Sequence, residues 1–167
     1  IIQSFKVIAD SKIPFSINLI IGFPGETREL IMETVSLVKK IYGYDTLTVS
    51  IFTPYRGTVL QKIAVKNGWL EKDHITVHTT SSTVLKMPPP YLNRNEIDTL
   101  MKMLPLYVYF PYSMWEDIQL AEQNNENGKK LFNKYSKIYK DNFLQGTQDD
   151  KKIFYGDNIN KSPLRAK

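Results

Sequence analysis

Glu26 ends the stretch Gly22-Phe23-Pro24-Gly25-Glu26, in which two glycines and a proline shape a turn directly after the apolar run Ile17 to Ile21. If that run is a parallel strand, the turn lies at its C-terminal end, where α/β sheets and barrels place their ligands, and a carboxylate there can accept hydrogen bonds from one. A plainer role accounts for the same acid, since negative charge is favoured at the start of a following helix by the helix dipole. The turn is not a phosphate cradle of a known kind. It has neither the Lys-Ser/Thr pair of a P-loop nor a GxGxxG, and Glu26 would repel an anion. A second turn, Thr53-Pro54-Tyr55-Arg56-Gly57-Thr58, ends the next apolar run and falls on the same rim if the two strands are parallel neighbours. Arg56 can meet a carboxylate or phosphate there, and Tyr55 can pack on a ligand ring. A tight turn with Gly57 supplying the backbone angle and Thr58 the helix cap explains half of the motif without any ligand.

Other candidate chemistry is weaker. His74 and His78 have the i, i+4 spacing of helical metal ligands, but "HITVH" is β-branched and has no acid at ligand spacing, so both read as surface histidines. The aromatic series Tyr107, Tyr109, Phe110, Tyr112 and Trp115 has no interleaved Lys or Arg, so it reads as packing rather than base stacking. The chain has no cysteine, which removes disulfides, thiolate metal sites, cluster ligation and cysteine nucleophiles together.

The elements that must hold these residues follow from periodicity. Ile1, Ile2, Phe5, Ile8 and Ala9 recur at helical spacing up to about Asp10 to Lys12, and Pro14 then introduces a strand, Phe15 to Ile21, whose consecutive Leu19, Ile20 and Ile21 imply burial on both faces. Thr27 caps a helix with Leu30, Ile31, Thr34, Val35, Val38, Ile41 and Tyr42 on one face, ended at Gly43. The second strand is Leu47 to Phe52, rich in β-branched residues. A right-handed connection between the two strands is expected. Thr58 caps a short helix with Val59, Leu60, Ile63 and Ala64 inward, and Gly68 stops it. Residues 69 to 90 read as an extended connector. A helix starting at Asn93 or Asn95 carries Ile97, Leu100, Met101 and Leu104, with Pro105 placed to bend or break it. Ser113 and Glu116 have capping-box spacing for the next helix. The last helix has a stripe of Leu131, Phe132, Tyr135, Ile138, Tyr139 and Phe143, and Thr147 to Lys167 reads as a loosely held polar tail.

At 167 residues the chain can bury one ordinary core, and its net charge of +5 is spread among acids, as a solvated basic surface with a basic tail. Nucleic-acid binding is therefore not expected. No apolar run reaches the roughly 18 to 20 residues of a membrane span, and the chain reads as soluble and cytoplasmic.

Together, "INLIIGFPGETRELIMETVSLVKKI" and "VSIFTPYRGTVLQKIAVKNGWL" resemble the last two strand–helix units of a radical S-adenosylmethionine enzyme, and the resemblance is strongest to the class with a cobalamin (B12)-binding domain. "MPPPYLNRNEIDTLMKMLPLYVYFPYSMWEDIQLAE" is similar to the helical extension that follows the barrel in those proteins. The resemblance implies an α/β fold: residues 1–68 as the end of a partial (β/α)6 barrel with parallel strands, 69–90 as a connector, 91–146 as an α-helical C-terminal region and 147–167 as a tail. It implies S-adenosylmethionine and a [4Fe–4S] cluster as cofactors of the parent enzyme, with cobalamin in the narrower class. Ile20, Ile21 and Gly22 would then wall the adenosyl site, Thr53 and Pro54 would close it, and Glu26 would shape the loop rather than do chemistry. The three-cysteine motif of that family is missing, as are its earlier strands, so the chain is expected to be a C-terminal piece that is inactive alone. Its expected partner is the remainder of the barrel, or another copy paired through the exposed sheet edge. The alternative is a noncatalytic α/β binding or assembly module.

Overall fold

A computed structural model describes residues 1–76 and 82–143, with the side chain of Phe143 excluded. His78 and the expected tail lie outside the described residues. In chain order the elements are α1 (Ile2–Asp10), β1 (Ser16–Ile21), α2 (Arg28–Val38), β2 (Thr46–Ile51), α3 (Val59–Lys66), α4 (Arg94–Tyr109), α5 (Trp115–Ala121) and α6 (Glu126–Phe143). A short 3-10 turn, Tyr112–Met114, precedes α5. The fold is mixed α/β. No described helix is long and apolar enough to cross a membrane.

β1 and β2 form a two-stranded sheet. Asp45 N–H donates to Phe15 O at 2.8 Å, and Phe52 N–H donates to Ile21 O at 2.7 Å. The side chains of Thr46 and Ser16, and of Thr48 and Asn18, pair at the same offset of thirty residues. An offset that stays constant along both strands means they run parallel. Parallel neighbours need a long crossover, which α2 supplies.

Burial alternates along both strands instead of covering both faces. Ile17 and Ile21 of β1 are buried while Ser16, Asn18 and Ile20 are exposed, and β2 buries Ile51 but exposes Thr46, Thr48 and Ser50. The expected two-sided burial of the first strand is thus corrected: Ile20 is 49% exposed. A strand loses water from both faces only when layers cover both, and one face of this pair has no layer on it among the described residues.

The chain divides into two compact units. The first comprises Ile1–Asn18, Thr34–Thr48 and the described chain from Met103 on. Its core holds Ile17, Val35, Val38, Tyr44, Leu104, Tyr107, Val108, Ile118 and Tyr135. Within it Gly43, at φ +85°, passes so near α1 that a Cβ there would stand 2.8 Å from the Ala9 Cβ. That close approach needs a residue with no side chain in a left-handed conformation. The expected inner face of α1 is only partly used: Ala9 is buried, while Ile1, Ile2 and Ile8 are exposed. Of the aromatic series, Tyr107, Tyr109 and Phe110 are buried, with Tyr109 edge-on to both Phe110 and Tyr139, and Trp115 is half-buried, whereas Tyr112 is exposed.

The second unit comprises Leu19–Glu33 and Val49–Lys102, with residues 77–81 outside the description. Ile21, Ile31, Ile51, Ala64, Leu70, Leu85, Ile97 and Leu100 form its core. Thr58 caps α3 by accepting from Gln61 N–H at 3.2 Å, as its sequence position predicts. The phase of α3 differs from the expectation: Gln61 and Ala64 are buried while Val59 and Ile63 are exposed. Six residues, 52–57, separate β2 from the Thr58 cap, and the helix that starts there presents positions 61 and 64 to the core while 59 and 63 face outward.

Helix caps decide the remaining differences. Asn93 and Glu96 form a reciprocal capping box, with Glu96 Oε2 accepting from Asn93 N–H at 2.7 Å and Asn93 Oδ1 accepting from Glu96 N–H at 3.2 Å. Ser113 does not form the expected box. It lies inside the 3-10 turn, and α5 starts at Trp115 without a side-chain cap. Pro105 sits within α4, which continues through it.

Candidate functional site

The turn after β1 is built around the Glu26 carboxylate. Gly22 turns at φ +83°, and its N–H donates to Glu26 Oε2 at 2.5 Å. Phe23 N–H donates to the same oxygen at 3.2 Å, and Glu26 N–H donates to Phe23 O at 3.0 Å. One carboxylate oxygen therefore closes a ring of main-chain donors that the end of the strand would otherwise leave to water. Burial raises the Glu26 pKa above its ordinary 4.5, and the N–H groups of Gly22 and Phe23 oppose that shift without cancelling it. Thr27 follows as the helix cap, its hydroxyl 3.5 Å from Leu30 N.

Residues far along the chain hold this loop from outside. Gly25 N–H donates to the Met87 sulfur at 3.3 Å, and the Phe23 and Phe52 rings lie with centroids 5.0 Å apart. Ile97 of α4, fully buried, fills the space beside Gly22, so that a Cβ on Gly22 would come within 3.3 Å of its Cδ1. Tyr91 packs edge-on against Trp69 at 5.1 Å. Met87, Tyr91 and Ile97 were not among the expected site residues. The spacing of Ile97 with Leu100 and Leu104 marks it as core, but nothing in a linear pattern says that the core at that point is a glycine turn seventy-odd positions earlier.

The six candidate residues share one strand-end region of the second unit. Ile21, Gly22, Thr53 and Pro54 are buried, Glu26 is half-buried and Ile20 presents its side chain on the open face of β1. Thr53 lies two residues after the end of β2, its hydroxyl 3.5 Å from Ile51 O, and Pro54 O accepts from Thr76 Oγ1 at 3.0 Å. The register Ile21 O to Phe52 N sets the two turns side by side at the C-terminal ends of adjacent parallel strands. That location is where such sheets bind ligands. Tyr55 and Arg56 are exposed beyond it and take no part in the loop's hydrogen bonds that involve Glu26. His74 lines a separate cleft with Trp69, Glu71, Lys86 and Arg94. Among the described residues no group of three or more acids and histidines could hold a metal ion.

An uncharacterized methyltransferase of Pyrococcus horikoshii is 32% identical over 102 residues, which is 60% of this chain and 22% of that protein. A tRNA-2-methylthio-N(6)-dimethylallyladenosine synthase of Thermotoga petrophila is 44% identical over 55 residues, 31% of this chain and 12% of that protein. The chain is similar in part to a methyltransferase and to tRNA-modifying enzymes. A probable threonylcarbamoyladenosine tRNA methylthiotransferase of Pyrococcus horikoshii adds 38% identity over 56 residues, 34% of this chain and 13% of that protein. The chain thus spans less than a quarter of the length of each of these relatives. No family model matches the chain, and no solved structure matches it.

Proposed function

We propose that this chain is the C-terminal part of a radical S-adenosylmethionine enzyme that transfers a methyl or methylthio group to RNA. In that enzyme β1 with α2 and β2 with α3 are the last two strand–helix units of the partial barrel, and α4 to α6 form a helical cap. The observation that carries the proposal is the loop Gly22 to Glu26, closed on its own carboxylate at the C-terminal end of a parallel strand and set beside Thr53 and Pro54. Partial similarity to a methyltransferase and to tRNA-modifying enzymes supports the reaction class.

The residues present fit one of the two implied cofactors. For S-adenosylmethionine they offer one exposed apolar side chain, Ile20, at the end of β1, with the buried Ile21 and Gly22 behind it and Thr53 and Pro54 at the end of the neighbouring strand. S-adenosylmethionine held there would, on one-electron reduction through the parent enzyme's cluster and loss of methionine, supply a 5′-deoxyadenosyl radical. Glu26 contributes no proton or electron to that chemistry here, because its near oxygen is engaged by two main-chain donors; it fixes the loop that follows Ile20 and Ile21. For the [4Fe–4S] cluster there is no fit, since a chain without cysteine has no thiolate to ligate it. The cluster ligands belong to the rest of the enzyme, and the chain alone is inert in this scheme. Exposed apolar side chains at Ile1, Ile2, Val7, Ile20, Val59 and Ile63 accord with surfaces that such a remainder would cover.

The cobalamin-binding class is the narrower form of the proposal, and a noncatalytic binding module is the competing one. Sequencing the gene on the 5′ side of this segment separates them. A CxxxCxxC motif in the same reading frame is expected, with a cobalamin-binding domain before it in the narrower class. A frame with no cysteine triplet would leave the noncatalytic module.

A further inference from the structure

The scatter of charge along the chain hides an ordered stripe on its last described helix. Lys129, Lys130, Lys134, Lys137 and Lys140 of α6 are all exposed. At about 100° per residue they fall within an arc of roughly 140°, and from Lys130 to Lys140 they extend about 15 Å along the axis. The opposite side of α6 is the packed one. Tyr135 is buried and donates to Asp117 Oδ2 of α5 at 2.5 Å, and its ring meets Phe110 with centroids 4.9 Å apart. Tyr139 meets Tyr109 at 5.8 Å. Two acids share the basic arc, Glu126, which pairs with Lys129 at 3.6 Å, and Asp141 near its end.

We propose that this face of α6 docks on the phosphate backbone of RNA. Charge complementarity favours a polyanion, and the chemistry of the face narrows which one. An amphipathic helix that settles on an anionic membrane must insert its apolar side, and here that side is occupied by α5 and the end of α4. A protein partner needs aromatic or aliphatic anchors at the centre of the contact, whereas Asn133 stands between these lysines and Ser136 beside Lys129 at their edge. Phosphate docking needs neither anchor nor insertion; flexible, hydrated ammonium groups at intervals along a groove suffice to set the register of a backbone. The choice of RNA over other polyanions rests on the reading proposed above, that the parent enzyme modifies RNA.

The test is fluorescence anisotropy of an unmodified tRNA transcript titrated with the 167-residue chain at several salt concentrations. Three to four phosphates neutralised give a log K against log salt slope near −3, and Lys130→Gln/Lys134→Gln/Lys137→Gln should lower that slope by about 2 to 3 and weaken low-salt binding at least tenfold. A charge-matched control, Lys6→Gln/Lys62→Gln/Lys66→Gln, alters exposed lysines of α1 and α3 and should keep the slope within about 1 of the parent value. If the triple α6 variant melts well below the parent, the single variants decide, each expected to remove about one unit of slope. The proposal is overturned by no binding at low salt, by equal losses in the α6 and control variants, or by tighter binding to polyglutamate or to phosphatidylserine vesicles than to tRNA. Because the assay needs neither cluster nor S-adenosylmethionine, its failure would leave the upstream cysteine test intact. A missing cysteine triplet would likewise leave a measured salt slope standing.

Discussion

Replacing Lys39 by methionine should destabilise the chain by about 2 to 4 kcal/mol, which makes it the most informative single substitution for the first unit. Lys39 follows α2 and is 6% exposed. Its ammonium donates to Phe110 O at 2.7 Å, Val108 O at 3.1 Å and, at the limit of a hydrogen bond, Tyr107 O at 3.4 Å. These carbonyls end α4, where the helix leaves acceptors without intrahelical partners and the dipole is negative. The ammonium also lies 5.0 Å from the Tyr112 ring centroid and 5.9 Å from that of Trp115. Hydrogen bonds to a charged group contribute about 1.5 to 3 kcal/mol each, and a shielded cation–π contact about 1. Against this stands the cost of dehydrating the ammonium, several kcal/mol, so the net worth is far below the sum. Methionine keeps the volume and removes the cost, but it leaves buried carbonyls short of donors, which sets the estimate. In a chain of this size that loss should lower the melting temperature by roughly 5 to 15 °C, read by circular dichroism, while the exposed neighbour Lys40→Met should shift it by a degree or two. A Lys39→Met variant as stable as the parent chain would show that the ammonium does not cap α4.

Three further outcomes are expected. Because burial raises the Glu26 pKa, the folded chain holds that proton more tightly than the unfolded one; the group favours folding below about pH 4.5, and its contribution is lost as pH rises through the folded-state value. Urea melts from pH 4 to 7 should therefore show the parent losing stability relative to Glu26→Gln as pH rises, and a constant or reversed difference would refute the burial argument; Glu26→Ala, which frees two N–H groups, should cost about 1 to 3 kcal/mol at any pH in that range. Gly43→Ala combines a left-handed backbone with a 2.8 Å approach to Ala9 and should cost about 2 to 4 kcal/mol, measured by denaturant unfolding; an unchanged midpoint would contradict the close packing of α1. In a spectrophotometric titration Tyr109 and Tyr135, pushed up to about 12 chiefly by burial, should stay largely neutral at pH 11, as should Tyr44, which burial shifts further upward. Complete ionisation at pH 11 with the fold intact would show that the aromatic cluster is open to water.

Much of the local architecture was legible because it is written in short-range chemistry. Thr58 announces the start of α3, and the β-branched run expected at Leu47 to Phe52 is a strand at Thr46–Ile51, whereas α2 ends at Val38, so Ile41 and Tyr42 lie beyond it and Gly43 turns the loop rather than the helix. What a linear pattern misses is which side of an element finds a partner. Leu19, Ile20 and Ile21 read as a two-sided core, yet Ile20 faces outward, because the number of layers over a sheet is a property of the whole assembly. Val59 and Ile63 mislead for the same reason. At the candidate site, Gly22 and Glu26 could be found from their types and spacing, whereas Met87 and Ile97 reach the loop only through tertiary folding. Lys39 was hidden in plain charge. Its position four after Val35 and eight after Ile31 continues the apolar face of α2 one residue past its end, and that phase was the available signal.

The most direct measurement is 5′-deoxyadenosine production by the full-length polypeptide that contains this segment, reconstituted anaerobically with iron and sulfide and given S-adenosylmethionine and dithionite. A radical enzyme whose barrel ends in this segment releases 5′-deoxyadenosine under those conditions and stops doing so when its cysteine triplet is replaced. A well-folded full-length protein that takes up no iron and forms no 5′-deoxyadenosine would contradict the proposed function.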